Sequence, residues 1–188
     1  MWPWEHLALG YLLYSLSVRS SRRRPPVGLG VLALAFATQF PDLIDKPLSW
    51  TFHVLPSGLS LAHSLLFAVP ASVSVFLVAW WRNVSHVGAA FAIGYFSHLL
   101  GDAIYPYLLG RALPPRFLLW PLYSREATVD SALFQIIELA AVFVDFLGTP
   151  RGKLYLLFEL VLLTSALLLW LFDGHPGLPS SSRRSATY

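Results

Sequence analysis

Six residues carry the chemistry open to this chain: His6, Asp42, Asp45, His63, His98 and Asp102. Imidazole nitrogen and carboxylate oxygen together suit zinc, manganese or iron. The sequence has no cysteine, so thiolate ligands and disulfides are excluded, and any metal must be held by His, Asp, Glu or backbone oxygen. His98 and Asp102 stand four residues apart, which puts both on one helix face within reach of one ion. Asp42 and Asp45 flank a turn opened by Pro41 that can aim both carboxylates inward. The set invites one or two divalent ions, zinc first and manganese or iron next, with an aspartate shared if there are two. A bound ion brings the pKa of its water towards neutrality and makes hydroxide available, which is hydrolytic chemistry. A carboxylate left over, Asp42 or Asp45, can serve as general base. Plainer roles compete: a structural His98–Asp102 hydrogen bond, a helix end at Asp42 and Asp45, an interfacial His6. His53 falls in a loop, His86 at a helix start on the other side, and His175 in the tail.

What could position these residues? Of the 188 residues, 56% are hydrophobic and only 12% charged. Soluble domains carry about a quarter charged residues. A lipid-facing surface removes that need, so composition favours a membrane protein. The basic residues lie in short clusters between apolar runs rather than along a continuous basic face, which argues against nucleic acid as a partner. Six apolar segments follow, at about 2–18, 27–40, 60–81, 86–109, 131–147 and 154–172. The third, fourth and sixth reach the roughly 20 residues that span hydrocarbon. The expected fold is all-α, a multi-pass transmembrane bundle of four to six membrane helices. One domain covers 1–175, and a Ser/Pro/Arg-rich tail at 176–188 is expected to be disordered. The N-terminal run has no basic residues before it and is kept as part of the mature protein.

Segments joined by short loops run antiparallel. The start of the first, the end of the second, the start of the third and the end of the fourth then fall on one side, and all six residues converge there. Tryptophan and tyrosine cluster at segment ends as an interfacial belt, among them Trp2, Trp4, Trp50, Trp80, Trp81, Trp120 and Tyr123. Glu138 and Glu159 are expected to face the bundle interior, and Asp145 to be solvated. Arg19, Arg22, Arg23 and Arg24 mark the cytoplasmic side, with Arg82, Arg151 and Lys153 beside them. The metal cluster then faces the extracytoplasmic side of the plasma membrane. Arg111, Arg116 and Arg125 are the candidates for binding an anionic substrate, by bidentate contacts to phosphate. A site at the membrane surface suggests a lipid-like or amphiphilic substrate. A proton or metal-ion transporter and a scaffold with a structural metal are the competing readings.

The order of motifs resembles the YdjM-like family of membrane-bound metal-dependent hydrolases of prokaryotes. The matching stretches are Glu5-His6 with Gly10, Phe40-Pro41-Asp42-Leu43-Ile44-Asp45, Ala62-His63-Ser64, Ser97-His98-Leu99-Leu100-Gly101-Asp102 and Trp120-Pro121-Leu122-Tyr123. The aspartates are one residue further apart than in the family's Pro-Asp-x-Asp. The family's His-Arg-Gly before the second histidine is missing, and Ala62 stands in the place of its threonine. The resemblance implies a metal-dependent hydrolase at the membrane and does not supply a substrate.

Overall fold

A computed structural model describes residues 1–26, 28–111, 114–123 and 132–178. Among these residues every regular element is helical. The elements are α1 (Pro3–Arg22), α2 (Gly28–Ala37), α3 (Phe40–Lys46), α4 (Leu65–Trp81), α5 (Ser85–Leu108), α6 (Ala132–Leu147) and α7 (Pro150–Phe172). A π-helical turn at Pro47–Thr51 follows α3, and a 3-10 turn at Arg116–Leu119 precedes α6. Two of these helices, α5 and α7, are long and apolar enough to cross a membrane, and α4 is a shorter apolar helix.

Helix α5 is the centre of the bundle, packed by α1, α2 and α4, while α7 lies along α1. Close approach to α5 is made possible by small residues. A Cβ at Gly94 would stand 2.8 Å from the Leu34 carbonyl oxygen and 2.9 Å from Ala37 Cβ, so α2 can rest directly on α5 only because that position is glycine. Tyr11, Tyr14, Val31, Leu34 and Ala90 form one core cluster, and Ala37, Ala68, Phe91, Tyr95 and Leu99 form the next.

The second apolar segment breaks where the sequence carries a proline. Four residues after Ala37 comes Pro41, which has no N–H to return to the Ala37 carbonyl. The helix stops at Ala37 and restarts at Phe40, and α3 carries Asp42 and Asp45. The third segment starts later than its apolar run suggests. Residues 60–63 form a loop, and α4 begins after Ser64, whose hydroxyl oxygen accepts the N–H of Leu66 as an N-cap.

At the end remote from the cluster, α1 and α7 are tied by a buried carboxylate. Asp173 accepts from Tyr11 Oη at 2.6 Å, from Ser15 Oγ at 2.6 Å and from Arg19 Nε at 2.8 Å, with the Arg19 Nη2 closing the fork. The start of α7 therefore lies at the other end, where Tyr155 donates to the carboxylate of Glu5.

That placement corrects one expectation. Simple alternation puts Arg151 and Lys153 on the side of Arg19. Instead α6 stays at the cluster end of the bundle: Phe143 meets Trp2, Phe143 and Phe146 meet Tyr155, and α6 packs on the π-helical turn. Basic residues thus stand at both ends. Arg19, Arg22, Arg23, Arg24 and Arg82 oppose Lys46, Arg111, Arg116, Arg151 and Lys153, so loop charge no longer distinguishes the sides.

Candidate metal centre

Helix α5 supplies two of the groups. His98 and Asp102 sit one turn apart and face the same way, with His98 Nε2 3.3 Å from Asp102 Oδ2. Helix α3 supplies Asp42, and the loop before α4 supplies His63. One ligand atom from each of Asp42, His63, His98 and Asp102 lies within 4.8 Å of the others. The closest pair is His63 Nε2 and His98 Nε2, at 3.1 Å. His63 Nε2 is 3.4 Å from Asp102 Oδ2 and 3.5 Å from Asp42 Oδ1, and His98 Nε2 is 3.9 Å from Asp42 Oδ1. Four ligands about 2.0–2.1 Å from a tetrahedral ion stand roughly 3.3 Å from each other, so these spacings suit one ion at the centre.

The tautomers point the same way. His98 Nδ1 lies 2.7 Å from the Thr38 carbonyl, which can only accept, so Nδ1 carries the proton. His63 Nδ1 donates to Asp45 Oδ2 at 2.8 Å. In the neutral rings both Nε2 lone pairs then face each other, and either a proton on His63 Nε2, donated to His98 Nε2, or a metal ion between them removes the repulsion. Asp42 and Asp102 add negative charge around that point. Burial works to lower the His63 pKa, but the carboxylates of Asp102, Asp42 and Asp45 outweigh it and raise it to about 10.

Asp45 is read from the sequence as a ligand or base and takes neither position. It is fully buried, and both its oxygens are occupied. Oδ2 accepts the backbone N–H of Ser60 at 2.8 Å and of His63 at 3.1 Å, besides the His63 ring, and Oδ1 accepts the N–H of Ala62 at 2.9 Å. One carboxylate folds the 60–63 loop and orients the histidine, as carboxylates behind metal-bound imidazoles do. Tyr95 Oη fastens the same loop by donating to the Ala62 carbonyl at 2.6 Å.

His6 stands beside the four atoms rather than among them. Its ring stacks on His98 with centroids 3.8 Å apart, and its Nε2 lies 3.2 Å from Asp102 Oδ1. Both ring nitrogens are buried, and beyond this ion-pair contact neither has a hydrogen-bond partner among the described residues. A buried orphaned imidazole at the edge of a His/Asp cluster is a donor set with room for another ligand bond. Gly101 makes space for the ring, since a Cβ there would lie 3.2 Å from His6 Nδ1. The Met1 amine also reaches Asp102 Oδ1, at 2.6 Å.

The arginines proposed for substrate do not join the cluster. Arg111 and Arg116 are exposed, the latter with its guanidinium 5.7 Å from the Tyr123 ring centre, and Arg125 lies outside the described residues. Glu138 and Asp145 are exposed on α6, and Glu159 accepts from Trp4 Nε1 at 2.7 Å. Two further residues stand beside the site: Glu5, to which the sequence reading gave no role, and Lys46, which it counted among the basic residues on the cluster side. Glu5 is buried and accepts from Trp2 N at 2.6 Å as well as from Tyr155. Lys46 pairs with Asp42 Oδ2 at 2.5 Å, a contact its spacing four residues along α3 could have suggested.

An all-helical bundle with two long apolar helices and a group of Asp and His side chains able to hold a metal ion is the class these features define. Within that class the assignment is specific. The model of the YdjM inner membrane protein family matches residues 1–175, and the chain belongs to that family of membrane proteins. No curated protein and no solved structure matches the chain.

Proposed function

We propose that this chain is a membrane-embedded metal-dependent hydrolase acting on a phosphoester or ester of a lipid or other amphiphile. The observation that carries the reading is the pair of Nε2 atoms 3.1 Å apart, each turned inward because its Nδ1 is already committed. His63, His98, Asp42 and Asp102 would hold a divalent ion, zinc first and manganese or iron next, with His6 completing the set or meeting a second ion across Asp102. Such an ion supplies an activated water and a Lewis acid for a carbonyl or phosphoryl oxygen. The chain's own part is to fix the geometry. Asp45 and the Thr38 carbonyl lock the two rings, and burial of His6, His63 and His98 excludes bulk water. Asp42 Oδ2 turns away from the histidines and pairs with Lys46, and it would take the general-base role, accepting a proton from water, once Lys46 turns to another anion. Helices α1, α4, α5 and α7, with α2 continued by α3, run between the two membrane faces in this reading, and α6 lies along the face that carries the cluster.

The test is turnover by the purified protein in lipid, loaded with zinc, manganese or iron, on a panel of phospholipids, phosphatidate and neutral esters. Metal-dependent hydrolysis of at least one class, lost in His98→Ala, is expected. Metal-loaded protein that cleaves nothing in the panel overturns the enzyme reading.

One observation favours transport as a second reading. On α1 the buried polar residues His6, Tyr11 and Ser15 continue to Arg19, so one face of that helix is polar from end to end. Metal or proton uptake into proteoliposomes that His98→Ala abolishes would decide for it.

A further inference from the structure

A shallow cavity of about 320 Å³, largely open to the surface, lies beside the cluster, with Pro3, Asp42, Leu43, Lys46, Pro47 and Trp50 in its wall. Asp42 belongs to both. Its Oδ1 faces the histidine pair, and its Oδ2 faces Lys46. The Lys46 ammonium lies 5.6 Å from the Trp50 ring centre and keeps about a third of its side chain exposed, 31%. Cation, aromatic face and apolar wall therefore meet within one side chain of the candidate metal ligands. A carboxylate that shares its charge with a metal ion holds a lysine less tightly, which frees the ammonium for another anion. The volume is at the small end of ligand sites, roughly 300–1,000 Å³, enough for a head group and its first carbons but not a whole lipid.

We propose that this cavity receives the anionic head of an amphiphile, with a phosphate or phosphonate group against Lys46 and the adjoining carbons against Leu43, Pro47 and Trp50. This replaces Arg111 and Arg116, which are exposed on the loop after α5, as the charge that selects substrate. It rests on the hydrolase reading of the neighbouring cluster for its purpose, but it is tested by binding alone.

The probes are hexylphosphonate, inorganic phosphate and hexanol, titrated by calorimetry against the full zinc-loaded chain in detergent. Hexylphosphonate is expected to bind more tightly than either fragment. Losing one charge-assisted contact in Lys46→Gln should weaken it about tenfold or more, and Lys46→Arg should restore most of that. Leu43→Trp, on an exposed position that fills the cavity from outside, should abolish binding with metal content unchanged. It keeps the test open if Lys46→Gln also loses metal. Hexylphosphonate bound as well by Leu43→Trp as by the unaltered chain, or no tighter than phosphate, overturns the proposal. Binding that needs Lys46 and an open cavity, without turnover of any ester, sinks the hydrolase reading and leaves this one. Turnover untouched by Leu43→Trp does the reverse.

Discussion

Asp45→Asn is the substitution that separates a buttress from a ligand. The amide is nearly isosteric, so the effect is electronic. Asp45 Oδ2 accepts three bonds, from Ser60 N, His63 N and His63 Nδ1, and Oδ1 accepts one from Ala62 N. Asparagine can keep its oxygen at the Oδ2 position and must then turn its NH2 towards the Ala62 N–H. That leaves a buried donor unpaired, at a cost of about 1–3 kcal/mol. The three remaining bonds change from charge-assisted to neutral, losing about 1 kcal/mol each at most. Together the loss is about 2–5 kcal/mol of folding stability, and it should appear in chelator as well as with metal. Metal affinity should fall a further 10–100-fold, the range for loss of a carboxylate behind a metal-bound histidine. The assays are thermal unfolding in detergent with and without chelator, and competition for zinc against a chromophoric chelator. By contrast, Asp42→Asn should lose metal with little change in chelator-treated stability. Asp45→Asn protein that unfolds in chelator at the unaltered temperature, while failing to bind zinc, would make Asp45 a ligand after all and refute the reasoning.

Three further outcomes follow from other contacts. The proton on His63 Nε2 and a metal ion compete for one lone pair, and the folded pKa is about 10. Below that value each metal bound releases this proton, so affinity should rise about tenfold per pH unit between pH 6 and 8, and a flat profile by chelator competition would count against His63 as a ligand. Gly94→Ala places a Cβ 2.8 Å from the Leu34 carbonyl, so α2 must move off α5. Overpacking of this kind costs about 1–3 kcal/mol, and because α2 carries the chain to Thr38 and Asp42, thermal unfolding and zinc affinity should fall together. Asp173→Ala strands Arg19 and removes the acceptor of Tyr11 and Ser15 at the opposite end. It should cost about 3 kcal/mol in unfolding measurements, yet leave zinc affinity within twofold, since no cluster ligand touches it.

Much of the site was legible in the residue order. Apolar runs with few charges pointed to helices, which are the regular elements among the described residues, and antiparallel threading predicted that six residues would meet, of which Asp42, His63, His98 and Asp102 do so within 4.8 Å. Spacing of four along one helix was enough for His98 and Asp102, because helix geometry is local. The roles within the cluster were not legible. Asp42 and Asp45 are the same residue type three apart on α3, and only the 60–63 loop folding over Asp45 makes one a buttress and leaves the other facing the histidines. Which way a carboxylate turns depends on donors fifteen to eighteen residues away in the chain. Nor could the sequence show that α6 lies at the cluster end of the bundle. Its apolar composition resembles that of a spanning segment, and only the contacts of Phe143 and Phe146 with Trp2 and Tyr155 return the start of α7 to the cluster end. Composition and local periodicity set what each segment is. Long-range donors and close helix contacts set where each polar atom points, because those energies exist only once distant parts of the chain have met.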